Sequence, residues 1–283
     1  MVKPGFLDAP DILAWLAGVQ PAWTALEFES FNLLRREPDE PDIAVRFSDA
    51  VSSPIAQNTM RFLSRLIDGT KLTVTGNLTR AFVAEVLDEL DWPDFDREEM
   101  FRLHKVINEP DCLPLHAMRI FCDRGGLVRV YKKQLRLTKA GKQLVSSSNL
   151  GELNRTLFLA TFWNTNLAYF DGLPLGPWPQ SDIGVALWCL SVAGHQWQTP
   201  AHLVRTATIP INGIIEAAGS RDIAGPIFEA RVLRQLSWFG LLDVETQPDP
   251  VYGFLKRRRY RKSSSYDQFL SFDVRLEGQD RLH

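Results

Sequence analysis

The alternation of hydrophobic and polar positions is clearest in residues 113–145, the stretch around which the rest of the chain is organised. In its first part, 113–124, Leu115, Met118 and Cys122 recur at helical spacing and form one apolar stripe. Two glycines follow, and the first suits the left-handed position just beyond a helix end. The pattern predicts a helix over 113–124 with these three residues turned toward a core.

A hairpin is predicted directly after this helix. Apolar and polar residues alternate over 127–131 and over 134–137, which is typical of strands with one buried face. Lys132 and Lys133 lie between them and form the predicted turn. Thr138 suits the capping position of a second helix. A helix, a hairpin and a helix in this order are the second half of a winged helix-turn-helix.

Helical patterns also precede this stretch. We expect an irregular or partly helical segment over 1–53, and then a helix that begins at Ser53-Pro54 and ends at Gly69. A short strand is predicted over 72–75, and Thr79 is predicted to cap the next helix. Another helix is predicted over 98–107.

A run rich in glycine and proline, residues 171–181, is the clearest boundary in the chain. The residues before it, 150–170, are predicted to form one long aromatic helix. The predicted division is an N-terminal segment (1–53), a first winged-helix domain (54–149), a connecting helix and linker (150–180) and a second winged-helix domain (181–283).

The pattern of helices followed by strands recurs in the second half. Helices are predicted over 183–193, from Thr199-Pro200 and over 223–239, and a strand over 242–245. The return strand is predicted over 269–276, so that the basic residues between the strands form an extended wing. The predicted fold class is therefore mainly α with short β-hairpins (α+β), built as tandem winged helix-turn-helix domains.

Charge is distributed unevenly along a chain whose formal net charge is only −2. Residues 115–142 contain eight Lys or Arg against Asp123 alone, and residues 231–262 contain eight against three acidic residues. The remainder of the chain is strongly acidic. Two basic islands on an acidic body indicate an anionic partner, and nucleic acid is the candidate.

The candidate nucleic-acid interface combines the two predicted wings with the polar face of the first helix. In the run 256–262, six of seven residues are cations, which suits a wing that lies along phosphates, with Tyr260 available to stack or to form a hydrogen bond. His116 and Arg119 lie opposite the apolar stripe, where a base-reading face would be. The candidate residues are His116, Arg119, Arg129, Lys132, Lys133, Arg136, Lys256, Arg257, Arg258, Arg259, Tyr260, Arg261 and Lys262.

Other chemistry has little support in the sequence. Three cysteines without a CxxC pair fit a reducing cytoplasm. Cys112 and His116 are four residues apart, with Cys122 further on, but a zinc site needs a second close pair. Nucleophile-elbow and phosphate-loop motifs are absent. We expect a cytoplasmic protein that is not an enzyme and has no catalytic residues, metal, cofactor or membrane segment.

Part of the chain resembles known families. The residues that carry the resemblance are Lys71-Leu72-Thr73, Gly76-Asn77-Leu78, Asn108-Glu109-Pro110-Asp111 with Pro114, Gly126-Leu127-Val128 and Leu135 to Gly141. Over about 62–170 they resemble the module associated with Ri-plasmid third-open-reading-frame-like bacterial proteins, which implies a bacterial origin and a fold but no particular activity. The segment 126–141 is also similar to the recognition-helix-and-wing half of multiple-antibiotic-resistance-type transcription regulators, whose long dimerisation helices are not evident here.

Two main functional hypotheses follow. The first is a bacterial regulator that binds double-stranded DNA through its wings. The second is a protein-interaction or scaffold module, acting on a protein partner or as a homo-oligomer, which the acidic body and the eight tryptophans favour. An enzyme is the third alternative, but no residues can be named for it.

Overall fold

The computed structural model of the chain describes residues 43–48, 51–92, 106–172, 178–180, 183–208, 223–248 and 256–274. They belong to two compact units. One is continuous, Ser48–Thr165, and we call it the insert. The other, which we call the discontinuous unit, combines strand β1 (Ile43–Phe47) with the described residues from Asn166 onward. The insert therefore interrupts the discontinuous unit in the sequence.

The insert contains five helices and three strands among its described residues. The helices are α1 (Pro54–Arg65), α2 (Arg80–Leu87), α3 (Leu113–Arg124), α4 (Lys139–Ser147) and α5 (Leu150–Leu159), and the strands are β2 (Thr70–Lys71), β3 (Val128–Tyr131) and β4 (Gln134–Leu137). The predicted caps Thr79 and Thr138 are confirmed, because each side chain accepts a hydrogen bond from the first turn of its helix, and Ser53 caps α1 in the same way. Most of the predicted helix over 98–107 lies outside the described residues.

The hairpin of the insert has the predicted strands and turn. Lys132 and Lys133 both have positive φ (48° and 59°), as a two-residue hairpin turn requires. Val128 is buried, but Val130 is 58 % exposed, although Leu135 directly opposite it on β4 is buried. The third strand, β2, lies at 70–71 and pairs with β4, so the prediction of a strand over 72–75 is wrong.

The core of the insert forms where the apolar stripe of α3 meets the inner face of the hairpin. Leu115 and Met118 are fully buried, and Leu135 and Leu137 are nearly so. At the start of α4, a Cβ on Gly141 would lie only 2.2 Å from the carbonyl oxygen of Leu127. Glycine at this position therefore allows α4 to pack closely against Leu127, the residue before the hairpin.

The predicted single helix over 150–170 is wrong. Helix α5 ends at Leu159. A π-helical turn (Ala160–Asn164) follows it directly, and Thr165 is extended. The Thr165 hydroxyl donates to the carbonyl of Ala160 (2.8 Å), which supplies a partner for a backbone group at the wider turn. A 3-10 turn (Leu167–Phe170) follows, already in the discontinuous unit.

The division between the two units differs from the predicted domain boundaries. The insert ends at Thr165, ahead of the proline- and glycine-rich run, and α5 packs within it against α1. Asp171, in that run, forms an ion pair with the fully buried Arg231 (2.5 Å), whose guanidinium also donates to the carbonyl of Trp178 (2.5 Å). The described part of the run is therefore attached to the discontinuous unit.

Beyond β1, the discontinuous unit is again mixed. Its helices are α6 (Ile183–Ala193), α7 (Pro200–Ala207), α8 (Ala224–Phe228), a π-helical turn (Glu229–Leu233), α9 (Arg234–Trp238) and α10 (Ser264–Phe269), and its further strands are β5 (Leu242–Pro248), β6 (Lys256–Lys262) and β7 (Leu270–Val274). The predicted helices over 183–193 and from Pro200 are confirmed. The described residues thus form a mainly helical α+β structure with small antiparallel sheets.

The predicted extended basic wing is wrong. The basic run 256–262 is itself the return strand β6, which pairs with β5 along its whole length. The predicted return strand over 269–276 instead corresponds to β7, which pairs with β1. Long charged side chains hide the strand period in the basic run, because their aliphatic stems can cover apolar surface while the charge reaches water.

Candidate nucleic-acid interface

Four of the predicted binding residues lie together on the hairpin of the insert. Arg129, Lys132, Lys133 and Arg136 are all exposed, and we call them the wing cations. Among the residues that the structure describes, no carboxylate lies within ion-pairing distance of any of them. Their charge is therefore not neutralised within the described part of the protein.

Arg129 and Arg136 lie directly opposite each other on β3 and β4. Like charges at such a position destabilise a strand pair. Arg136 is held by two hydrogen bonds from its guanidinium to the side-chain oxygen of Gln134 (2.9 and 2.6 Å). Arg129 lies over the Tyr131 ring, 5.8 Å from its centroid, and Lys132 lies 5.4 Å from it. These contacts position the cations without cancelling their charge.

Lys71 is a cation on the same sheet that the sequence did not indicate. It lies on β2 directly opposite Gln134, and it is exposed. A strand of two residues has no recognisable period, so only its pairing with β4 shows which face Lys71 occupies. It too has no carboxylate within ion-pairing distance among the described residues.

His116 and Arg119 of α3 are arranged differently from the wing cations. Both contact Glu109, a carboxylate with no exposed surface: His116 Nδ1 lies 3.0 Å from it, and the Arg119 guanidinium donates to it. The backbone N–H of Leu78 also donates to Glu109 (2.6 Å), and Arg119 donates further to the carbonyl of Gly76 (2.8 Å). The predicted base-reading residues thus join α3 to two neighbouring loops.

The Glu109 carboxyl has a pKa below its usual value. Burial alone raises its pKa, but the hydrogen bonds from His116 and Leu78 and the positive charge of Arg119 outweigh that effect. The group is therefore ionised at neutral pH. A buried carboxylate with three donors has a structural explanation that does not involve a ligand.

The second basic island is compensated by acidic residues. Its ion pairs include Arg258 with Glu229 (3.3 Å), Arg259 with Glu245 (3.6 Å), Arg261 with Asp243 (2.8 Å) and Lys262 with Asp267 (2.8 Å). Lys256 and Arg257, at the start of β6, are exposed. At least four of the six cations of this strand therefore have a carboxylate partner.

Tyr260 does not have the exposed position that the sequence indicated. It is only 2 % exposed, and its hydroxyl donates to Glu229 (2.9 Å). Because its ring is packed in the core of the discontinuous unit, the interpretation of Tyr260 as a surface stacking residue is wrong. The sequence predicted a wing at this position, whereas the residue belongs to the middle of β6.

The cysteines of the weak zinc hypothesis are buried. Burial raises the pKa of Cys112 to about 11 and raises the pKa of Cys122 still further. In the described part of the chain, no three His, Cys, Asp or Glu side chains are grouped as metal ligands would be. No helix within the described ranges is both long and apolar enough to cross a membrane.

The comparison with protein families gives a match within the insert. The chain has no match among curated proteins or among solved structures. Residues 51–150 match the family of the Y4jL N-terminal domain. This region includes α1 to α4 and the complete sheet with the wing cations, and it is in this region that the chain is similar to that family.

Proposed function

We propose that the insert binds nucleic acid through the wing cations, with double-stranded DNA as the partner. The observation that carries this proposal is the presence of four exposed cations on one hairpin without carboxylate partners among the described residues. Retained like charges are unfavourable for the isolated protein, and a phosphate backbone relieves the repulsion.

The element order of the insert supports a winged helix-turn-helix arrangement for this unit. Along the chain it runs α1, β2, α2, α3, β3 and β4, and the sheet has β4 between β2 and β3. In such an arrangement, hairpin β3–β4 is the wing and α3 is the helix before it. The proposal covers the insert alone, since the predicted wing of the discontinuous unit does not exist in that form.

The test is a titration of the full-length protein with a labelled DNA duplex, followed by fluorescence anisotropy. The double variant Arg129→Gln/Arg136→Gln should weaken binding at least tenfold, because each lost contact between a charged group and phosphate is worth about 1.5–3 kcal/mol. The matched control is Arg258→Gln/Arg259→Gln, which removes the same charge from cations that already have partners.

The control double variant should bind within about twofold of the wild-type protein. Equal losses in both double variants would mean that overall charge, and not the hairpin, determines binding. No binding by the wild-type protein at physiological salt would contradict the proposal. Circular dichroism of each variant shows whether the fold is kept.

A protein-interaction module is the alternative function, and one observation favours it. Val130 and Tyr131 are 58 % and 47 % exposed on the same hairpin, one on each face of the sheet, so exposed hydrophobic side chains lie beside its charges. Under this alternative, Val130→Ser would disrupt a protein complex, whereas it would leave DNA affinity within about twofold if the cations act on phosphates.

A further inference from the structure

We infer that the DNA-binding surface extends from the hairpin across the sheet to Lys71, and that it contacts the phosphate backbone without reading base sequence. This inference rests on the proposed function of the insert and specifies its ligand as the phosphodiester chain of a duplex. The surface is the outer face of the sheet, formed by Lys71, Arg129, Tyr131, Gln134 and Arg136, and we call it the outer face.

Strand pairing places these residues on one side of the sheet. Lys71 and Tyr131 both lie opposite Gln134, one on each side of the central strand β4. Residues directly opposite each other in adjacent strands point to the same face, and residues two apart in one strand do too. Arg129 and Arg136, which form the next pair along β3 and β4, therefore lie on this face as well.

The opposite face of the sheet is the core side, which shows that the outer face is the accessible one. Leu135 and Leu137 on β4 are at most 4 % exposed, and Val128 on β3 is 3 % exposed. By contrast, Lys71, Arg129 and Arg136 are exposed. The sheet thus has one apolar face, which is buried at Val128, Leu135 and Leu137 and exposed at Val130, and one cationic face in solvent.

Gly69 determines how Arg136 lies on this face. A Cβ at Gly69 would lie 2.9 Å from Cγ of Arg136, so the aliphatic stem of the arginine passes directly over the glycine. The guanidinium donates to Gln134 through Nε and Nη2, and Nη1 makes no hydrogen bond within the described residues. An arginine fixed in this way loses little side-chain freedom when a phosphate binds the remaining donors.

Charge complementarity identifies the occupant of this face. Three cations on three adjacent strands, with Lys132 and Lys133 at the turn, present positive charge across a face roughly 10 Å wide, because neighbouring strands are about 5 Å apart. Among the described residues none of the five has a carboxylate within ion-pairing distance. A phosphate backbone supplies negative charge at regular intervals over such a distance.

Within the described part of the insert, the state of α3 argues against base reading. A helix that reads bases needs side chains able to reach base edges, and His116 and Arg119 are held on Glu109. The exposed charged residues of α3 are Asp123 and Arg124, and a carboxylate at the surface of this helix repels phosphate. Phosphate contacts position a protein on DNA without conveying sequence.

The test uses the full-length protein and three duplexes of equal length and different sequence, titrated between about 50 and 200 mM salt. Lys71→Gln should weaken binding to every duplex about tenfold and should flatten the slope of log affinity against log salt by about 0.9. Lys71→Arg should keep the affinity within about threefold. The control Arg155→Gln removes one exposed charge from α5, and its affinity should stay within about twofold of the wild type.

The outcomes separate this inference from the proposed function. If Arg129→Gln/Arg136→Gln weakens binding while Lys71→Gln does not, the proposed function stands and the extended surface is wrong. A wild-type preference of more than tenfold for one duplex overturns the sequence-independent mode. If the wild-type protein binds none of the duplexes, both proposals fail. Uniform affinity for the three duplexes, together with the loss in Lys71→Gln, supports the inference.

Discussion

Arg129 and Arg136 lie directly opposite each other on β3 and β4, and among the described residues neither has a carboxylate partner. Such a pair weakens the hairpin, because like charges at opposed positions repel. A cost in stability at a surface position is common where a protein uses the residues for binding. The pair therefore links the stability of the insert to its proposed function.

Arg129→Glu should separate stability from binding. The new carboxylate would attract Arg136, so we expect the free energy of unfolding to rise by about 0.2–1 kcal/mol. Duplex binding should fall by more than in Arg129→Gln, because the change replaces a positive charge by a negative one. Urea denaturation and anisotropy measure the two effects. A variant that loses stability would show that the arginines do not repel each other appreciably.

Leu137→Ala should test the core of the insert. The side chain is 4 % exposed, so its truncation should cost about 2–5 kcal/mol in the free energy of unfolding. Val130→Ala is the matched control on the same hairpin, because Val130 is 58 % exposed, and it should cost less than about 1 kcal/mol. Similar losses in the two variants would mean that the inner face has been assigned wrongly.

Glu109 should make the insert sensitive to acid. Since its pKa is lowered in the folded state, its contribution to stability is complete above the ordinary value of 4.5 and is lost as pH falls through the lower folded pKa. Glu109→Gln should cost about 1–3 kcal/mol at pH 7, and the difference from the wild type should shrink at pH 3. The control Glu85→Gln, at an exposed site on α2, should give no such pH-dependent difference. A constant difference over this range would contradict the role of ionised Glu109.

The buried thiols should be unreactive in the folded protein. The pKa of Cys112 is raised to about 11, so at pH 8 the reactive thiolate is on the order of one part in a thousand of this group. Cys122 in the insert and Cys189 in the discontinuous unit are fully buried, and burial raises the pKa of both. Alkylation followed by mass spectrometry should therefore detect the unfolding of each unit separately. Rapid labelling of Cys189 without denaturant would contradict the packing of α6.

Local patterns in the sequence predicted much of the insert. The apolar stripe of α3, the alternation along β3 and β4 and the capping residue Thr138 all act over a few residues, and the structure confirms these elements. Each of these signals depends on backbone geometry that is fixed by neighbours in the chain. Such signals locate elements, but they do not show which elements meet.

The wrong predictions concern contacts between distant residues. Strand β7 was paired with β5 in the prediction, but it pairs with β1 from the other end of the described chain. The basic run 256–262 shows no strand pattern in the sequence, and its cations find acidic partners on β5, α10 and the π-helical turn, which the sequence does not reveal. In α3, nothing in the sequence showed that His116 and Arg119 would contact Glu109. Charge pairing depends on tertiary structure. A count of basic residues in the sequence therefore overestimates the number of cations available for binding.

The interruption of the discontinuous unit by the insert has a consequence for synthesis on the ribosome. All residues of the insert have emerged well before β7 is translated, so this unit can complete its contacts early. Strand β1 leaves the ribosome among the first described residues, but its partner β7 is among the last. Among the described strands β1 has no other partner, so it waits for β7 during most of translation, at a stage when nascent chains are prone to aggregate.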